Sequence, residues 1–292
     1  MSTIRGPLLM VGSMAGFALA DSLVKALSAT LPAGEVAMAL GIGGTLVFGA
    51  WAWLRGVRLL VVEAISGAAL LRNMAECVAA MCMILSIALV PLSVVSAILQ
   101  AMPLAVTLAA ALFLGEPVGV RRWGAIALGF VGVLMILRPG TAGFDLRVVL
   151  PLFAVLALTV RDIATKRVPD TVSSLQLSGW GFMAVVPAGI FLLLLRSEAP
   201  EMPNLPEFGL MLLMVLFGIL GYGALVLATR AGSIALTTPF RYSRLIFAMM
   251  IGVIWFDERP DAWTLAGSAL VVVAGLYALM REMRLKRRKL AK

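Results

Sequence analysis

The chain has 292 residues, of which 62% are hydrophobic and 13% charged, and its mean hydropathy is +1.04. A soluble domain has about 45–50% apolar and about 25% charged residues, so this composition excludes an ordinary soluble protein and indicates that lipid is the main solvent. The net charge of +9 would suggest a nucleic-acid partner in a soluble protein, but the basic residues lie in short loops and at the C-terminal end, so we expect no nucleic-acid binding.

Ten apolar runs are long enough to cross a bilayer, which takes roughly 20 residues at about 1.5 Å each. They predict transmembrane helices at 7–28, 34–54, 65–89, 92–115, 120–138, 148–168, 172–195, 207–229, 234–256 and 262–281. Breaks rich in proline and glycine separate them, as at 31–34 and 138–141. The sequence therefore predicts an all-α membrane protein of ten transmembrane helices.

Lysine and arginine are distributed unevenly between alternate loops. If the N-terminus is cytoplasmic, sixteen of them lie in inside loops and at the C-terminal end, and four lie outside, namely Arg138, Arg147, Arg196 and Arg259. Such a bias sets orientation in the membrane. We therefore expect both termini to be cytoplasmic and the protein to lie in a bacterial inner membrane.

Several kinds of chemistry are absent from the sequence. It contains no histidine, which removes Ser-His and Cys-His catalysis and histidine metal sites. Cys77 and Cys82 lie five residues apart in one apolar run, point to different helix faces and indicate small apolar packing. We therefore predict no enzyme activity, no metal and no cofactor.

The chain repeats itself internally at an offset of 141 to 143 residues. The corresponding features are Asp21-x-x-x-Lys25 with Asp162-x-x-x-Lys166, Glu116 with Glu258, and Gly124 and Gly132 with Gly267 and Gly275. Since each repeat has five helices, the second must enter the membrane in the opposite orientation, as in many secondary transporters. The predicted division is a first repeat at 1–140, an inverted repeat at 141–281 and a basic cytoplasmic tail at 282–292. We expect the repeated glycines to allow close helix packing.

Several motifs resemble the drug/metabolite transporter superfamily, and within it the ten-helix EamA-type transporters. They are Phe17–Lys25, Ala111–Pro117, Trp123-Gly124, Gly129–Gly132, Trp255–Pro260 and Leu265–Gly267. The resemblance covers nearly the whole chain. It implies a secondary transporter from a group whose members move amino acids (YddG-type exporters of aromatic amino acids among them), cofactors, sugar phosphates or nucleotide sugars.

The Asp-x-x-x-Lys pairs are the first candidate functional residues. Side chains four residues apart stack on one helix face, so each acid can neutralise its base. In the predicted topology Asp21 and Lys25 lie toward the outer mouth, and Asp162 and Lys166 toward the inner mouth. We interpret them as gating ion pairs, the alternative being that each anchors a helix end near the headgroups.

Polar residues deeper in the helices are candidates for the substrate pathway, because charged groups inside a membrane normally face a wet cavity or the bundle interior. In helix three, Asn73 and Glu76 share a face and are predicted to line the pathway, whereas Arg72 is predicted to be interfacial. Gln100 in helix four corresponds to Tyr242 in helix nine, as expected of a pseudo-symmetric binding site.

Arg241 and two aromatic residues complete the predicted pathway. Arg241 could bind a substrate carboxylate through its forked donors or form a salt bridge to Glu76 or Asp162. Trp180 and Tyr222 are candidates for a cavity that suits aromatic substrates, and packing is the alternative.

The leading functional hypothesis is a secondary transporter that exports amino acids, aromatic or hydrophobic ones above all, or similar small metabolites by alternating access. The alternative is uptake or exchange of a phosphorylated or nucleotide-type metabolite, bound by Lys25, Lys166, Arg241 and Arg244. The expected partners are a small-molecule substrate and the lipid bilayer, and we expect the protein to function as a monomer.

Overall fold

The computed structural model describes residues 5–59, 61–65, 67–115, 118–140, 144–169, 171–231 and 237–290. Within these ranges the regular structure is helical. The α-helices are α1 Arg5–Leu27, α2 Ala33–Leu54, α3 Gly67–Leu89, α4 Leu92–Leu99, α5 Met102–Phe113, α6 Val120–Leu137, α7 Leu150–Thr165, α8 Ser174–Arg196, α9 Leu205–Ala231, α10 Ser243–Phe256 and α11 Ala262–Leu290. Short 3₁₀ helices occupy Val62–Ile65, Leu146–Val149 and Thr238–Tyr242.

The predicted all-α membrane fold is confirmed. Among the described residues, nine helical spans are long and apolar enough to cross a membrane, with α4 and α5 together forming one of them, Leu92–Phe113. The predicted ninth helix, 234–256, begins in 232–236, which lie outside the described residues. Its remainder is the 3₁₀ helix Thr238–Tyr242 followed by α10.

The chain divides into two compact units, and each unit takes residues from both sequence repeats. Unit 1 consists of the described parts of Met1–Leu19, Val90–Val149 and Leu220–Lys292. Unit 2 consists of those of Ala20–Leu89 and Leu150–Ile219. The units therefore group helices that lie far apart in the sequence.

In unit 2, α2 packs closely along α8 in the antiparallel direction. A Cβ atom on Gly41 would lie only 2.8 Å from the backbone nitrogen of Val186, so glycine is what allows this approach. At one end of the pair the backbone N–H of Glu201 donates to the Glu35 carboxylate at 2.9 Å. At the other end the Gln176 amide donates to the carbonyl of Arg58 at 2.9 Å. The corresponding helices of the two repeats thus pair in opposite directions, as inverted repeats require.

In unit 1, α6 packs against α11 through the predicted glycines. A Cβ atom on Gly132 would lie 2.8 Å from the carbonyl oxygen of Gly267, so close packing is confirmed for these two. Gly275 packs against the phenol of Tyr242. Gly124 has no described atom within 4 Å of an added Cβ, so the packing prediction is wrong there.

The predicted helix four is not continuous. The N–H groups of Gln100 and Ala101 donate three residues back, to Ala97 and Ile98, and α5 then begins with Pro103 in its first turn. Proline has no N–H to continue the helical pattern. The repeat offset maps this break onto the junction between Tyr242 and α10, where a 3₁₀ helix containing Pro239 ends. The two breaks therefore occupy equivalent positions in the two repeats.

The last helix is longer than predicted. It continues to Leu290, so most of the segment predicted as a tail, 282–292, extends α11. The residues beyond Met280 are mainly Arg, Lys, Leu and Met, which are good helix formers, and they include no glycine or proline. The basic residues that follow the predicted span, 262–281, thus belong to α11 as far as Leu290.

Replacing Gly41 with alanine is expected to weaken the α2–α8 contact. The new Cβ would overlap the backbone of α8, so we expect the free energy of unfolding in detergent to fall by about 1–3 kcal/mol. Gly49→Ala is the matched control, because an added Cβ there meets no described atom within 4 Å. Equal destabilisation by the two substitutions in a denaturant titration would contradict the close packing.

The loop pair Asp261–Arg138 is expected to make stability depend on acidic pH. The hydrogen bond from Arg138, together with the N–H of Thr264, lowers the pKa of Asp261 to about 2, below the usual value of about 3.9. A carboxyl group with a lowered pKa stabilises the folded state above its unfolded pKa, and that contribution disappears as the pH falls from about 4 toward about 2.

The stability difference between the native protein and Asp261→Asn should therefore be constant above about pH 5, shrink as the pH falls, and disappear only below about pH 2. Thermal unfolding in detergent across this range measures it. A difference that persists undiminished at the lowest pH would show that Asp261 acts without its charge.

Candidate functional site

Helices α3 and α7 of unit 2 bring four charged side chains together. A nitrogen of the Arg161 guanidinium, Nη1, lies 3.4 Å from the Glu76 carboxylate. The Nε and Nη2 atoms of Arg161 both donate to Oδ1 of Asp162, at 2.9 and 2.8 Å. On α3, Nη2 of Arg72 lies 3.2 Å from Oε2 of Glu76. We call Arg72, Glu76, Arg161 and Asp162 the charge cluster.

The charge cluster contains two cations and two anions and is therefore neutral. Its side chains are largely buried, from 9% exposed for Arg72 to 35% for Asp162. Charges removed from water are tolerated when they are paired and hydrogen-bonded. Glu76 is the tenth of the 23 residues of α3, which places the cluster well inside the span.

The two contacts of Arg161 differ in length. Its bonds to Asp162 are short and involve two nitrogens, whereas the contact with Glu76 on the other helix is long. Hydrogen bonds weaken with distance. Glu76 is therefore the carboxylate that separates from Arg161 more readily.

Arg161 is the residue that sequence analysis missed. It was visible as a basic residue inside a helix next to Asp162, but spacing along the chain cannot show that α3 and α7 are neighbours. The structure joins Glu76, predicted to line the pathway, to Asp162, predicted to gate it, through this arginine. Arg161 thus engages both carboxylates that were considered as partners of Arg241.

Asn73 and Trp180 hold the connection between α2 and α3. The Asn73 side chain accepts a hydrogen bond from Arg72 at 2.9 Å and donates to the carbonyl of Ala64 at 2.9 Å. The Trp180 indole N–H donates to the carbonyl of Leu59 at 2.7 Å, and the residue is 2% exposed. Their role in the pathway remains a prediction, and these bonds give both residues a structural one.

The side chain of Arg72 is buried in unit 2, and its interfacial depth in the membrane stays a prediction. Arg72 is only 8% exposed and its guanidinium packs against Gly181, where an added Cβ would lie 3.2 Å from Nη2. The reason is that Glu76, one helical turn away, compensates its charge. Arg72 therefore belongs to the interior of unit 2.

The two Asp-x-x-x-Lys pairs differ in their surroundings. Asp21 and Lys25 are both partly buried near the C-terminal end of α1. Asp162 turns its carboxylate to Arg161, and Lys166 is exposed just beyond the last residue of α7. Gating by these residues remains a prediction.

In unit 1 the two residues predicted to be pseudo-symmetric partners do meet. The Gln100 amide lies 3.5 Å from the backbone carbonyl of Tyr242, and both residues are buried. Near this point Arg244 places its guanidinium carbon 5.4 Å from the centre of the Phe17 ring, within the range of a cation–π interaction. Arg241 is exposed, and Tyr222 is partly buried on α9. In unit 1, Gln100, Tyr242 and Arg244 thus lie at or next to the two helix breaks.

Comparison with known proteins agrees with this architecture. The profile of the EamA-like transporter family matches residues 4–138 and again 146–280. One solved crystal structure has a TM-score of 0.60 over 96% of this chain and 98% of the other, at 16% identity, which shows a shared fold.

Individual relatives are bacterial transporters. A riboflavin transporter of Rhizobium johnstonii is 30% identical over 202 residues, 69% of this chain and 66% of the relative. A pseudopaline exporter of Pseudomonas aeruginosa is 28% identical over 277 residues, 92% of this chain and 94% of the relative. An S-adenosylmethionine uptake transporter of Rickettsia prowazekii is 28% identical over 196 residues, 66% of this chain and 64% of the relative.

The apolar spans and the doubled family match define a multi-pass bacterial membrane transporter. Within that class, the chain belongs to the EamA-like transporter family of the drug/metabolite transporter superfamily.

Removing the charge of Arg161 is expected to destabilise unit 2 strongly. Arg161→Met leaves two carboxylates close together without their shared cation, and breaking a buried ion pair typically costs about 3–5 kcal/mol. Adding Asp162→Asn removes the carboxylate that has lost its two short bonds to Arg161, while Glu76 keeps Arg72 at 3.2 Å, so the double variant should regain about 1–2 kcal/mol. The free energies of unfolding of the single and double variants in detergent give the coupling free energy between the two residues.

The pair of Arg196 and Glu198 outside the charge cluster provides the control, because Arg196 is more exposed than any cluster residue, at 38%. Arg196→Met removes a similar contact at 2.6 Å but should change stability by less than about 1 kcal/mol, because exposed ion pairs contribute little. Simple additivity of Arg161→Met and Asp162→Asn would show that the two side chains do not interact.

Proposed function

We propose that this protein is a secondary transporter of the inner membrane that exports amino acids, or metabolites with an amino-acid group, by alternating access. The observation that supports the substrate class is the neutral charge cluster, in which Arg161 and Glu76 face each other at 3.4 Å. A zwitterion carries one positive and one negative group. It can take over both ionic contacts without leaving a net charge in the membrane.

The cluster also suits exchange of partners during transport. Arg161 keeps its two short bonds to Asp162 while its longer contact with Glu76 separates. A substrate carboxylate would then pair with the Arg161 or Arg72 guanidinium, and a substrate ammonium with Glu76. The preference for aromatic or hydrophobic side chains rests on Trp180 and Tyr222, which the sequence offers as cavity residues.

The relatives support an organic metabolite as substrate. Their substrates differ in the chemical group that a binding site could recognise. S-adenosylmethionine, transported by the Rickettsia relative, carries an α-amino carboxylate. Riboflavin, transported by the Rhizobium relative, carries a fused aromatic ring system and no such group. The relatives include both an uptake transporter and an exporter. We propose export because the match to the pseudopaline exporter extends over 92% of this chain.

A nucleotide-type metabolite is the second candidate. The observation in its favour is that both riboflavin and S-adenosylmethionine contain a nitrogen heterocycle. In unit 1 the Arg244 guanidinium over the Phe17 ring offers a flat cationic surface on which such a ring could stack.

Alternating access is supported by the two inverted repeats and by the equivalent helix breaks. We further propose that both termini are cytoplasmic, because loop charge favours that orientation.

Counterflow in proteoliposomes tests the substrate class. Labelled aromatic amino acids are expected to exchange, and aliphatic amino acids, S-adenosylmethionine, riboflavin, nucleotides and polyamines serve as competitors. Glu76→Gln should lower amino-acid counterflow by about tenfold, equivalent to about 1.4 kcal/mol, because the site for the ammonium group loses its charge.

Glu201→Gln is the matched control, since it removes an exposed carboxylate of the same unit, and its flux should stay within about twofold. If nucleotides or riboflavin exchange and no amino acid competes, the second candidate replaces the first. Equal flux in Glu76→Gln and the native protein would show that the charge cluster is not part of the substrate pathway.

A further inference from the structure

Glu258, one of the repeated motif residues, has a specific role in unit 1. It follows the end of α10, where Asp257 adopts a left-handed conformation (φ 50°) and the Glu258 N–H donates to the carbonyl of Gly252 at 3.0 Å. Its carboxylate crosses to the start of α4. There Oε1 accepts the N–H of Leu92 at 2.5 Å, and Oε2 accepts the N–H and the hydroxyl of Ser93 at 2.9 and 2.7 Å.

This contact supplies what the first turn of α4 lacks. The first N–H groups of a helix have no acceptor within it, and the N-cap residue Pro91 provides no side-chain hydrogen bond. A carboxylate at this end also interacts favourably with the helix dipole. Charge-assisted bonds of this kind are stronger than neutral ones. Glu258 therefore caps a helix that belongs to the other sequence repeat.

The position of the carboxylate is fixed by Gly252. An added Cβ on that glycine would lie 2.6 Å from Oε2 of Glu258. The carboxylate consequently lies directly against the backbone of α10 on one side and the first turn of α4 on the other. Glu258 thus ties the end of α10 to the start of α4.

The opposite ends of the same two helices are joined more weakly. There the Gln100 amide reaches the carbonyl of Tyr242 at 3.5 Å, the limit of a hydrogen bond. Both chains are also broken at this point, between α4 and α5 and between the 3₁₀ helix and α10. The pair therefore has charge-assisted hydrogen bonds at one end and a break in both chains at the other.

We propose that the Glu258 carboxylate is a latch: it keeps the Glu258 end of α4 and α10 closed in the state seen here, and its release opens that end during transport. The helix breaks at Gln100 and Tyr242 are the pivot. The role rests on the alternating access proposed above, and Glu258 acts as a positioning residue that does not contact substrate.

Cysteine accessibility tests the latch in a background with Cys77→Ala and Cys82→Ala. Ser96→Cys reports on the latch end, because Ser96 is 1% exposed and lies one turn from Ser93. Thr107→Cys, on α5 beyond the break, reports on the other side of the pivot. The probe is a membrane-impermeant maleimide, applied to right-side-out and inside-out vesicles.

Glu258→Gln is expected to raise labelling of Ser96→Cys from the latch side by about tenfold and to lower labelling of Thr107→Cys from the opposite side by a similar factor, as a shift between two states requires. Ser93→Ala removes one of the three bonds and should shift both rates in the same directions by a smaller factor. If Glu258→Gln does not fold, the labelling rates of Ser93→Ala test the latch instead.

Asp261→Asn is the control, because this carboxylate lies in the same loop and contacts α6 and α11 instead. Its labelling rates should stay within about twofold of the native protein. Faster labelling at both reporters, or unchanged labelling at both, would overturn the latch. The labelling needs no substrate, so a failure of amino-acid counterflow would count against the proposed function alone.

Discussion

The ionic contacts of Arg161 with Glu76 and Asp162 meet the strictest requirement that a bilayer imposes on a protein chain. A guanidinium in hydrocarbon is costly unless a carboxylate lies beside it. In unit 2 this requirement holds α3 and α7 together and also brings Arg72 into the interior beside Glu76. The same neutrality is the basis of the zwitterionic substrate that we propose, because a zwitterion would exchange charges with the protein without adding one.

Backbone hydrogen bonding imposes the second requirement, and unit 1 shows how the chain meets it at breaks. Where α4 stops, the N–H groups of Gln100 and Ala101 turn to carbonyls three residues back. Where α4 starts, the Glu258 carboxylate supplies the missing acceptors. An irregular backbone is tolerated in a membrane when neighbouring groups satisfy it in this way, and such points are where helices can bend.

Close packing of glycines accounts for the pairing of corresponding helices. Lipid chains are as apolar as leucine, so helices associate through close van der Waals contact. Gly41 against Val186 in unit 2 and Gly132 against Gly267 in unit 1 allow backbones to approach. Gly124 belongs to the same sequence repeat and meets no described atom within 4 Å, so an inverted repeat does not guarantee that equivalent residues share an environment.

The sequence by itself determined the membrane class, the all-α fold, nine of the ten predicted apolar spans and the doubled architecture, because hydropathy and offset are properties of the chain alone. It also singled out Glu76, Asp162, Gln100, Tyr242 and Glu258. Only the tertiary structure decided which of them meet: it placed Arg161 between Glu76 and Asp162, buried Arg72, broke helix four at Gln100 and brought Glu258 to α4. Those contacts join residues that are 85 and 166 positions apart in the sequence. Contacts over such distances depend on which helices pack together, and local periodicity does not encode that choice.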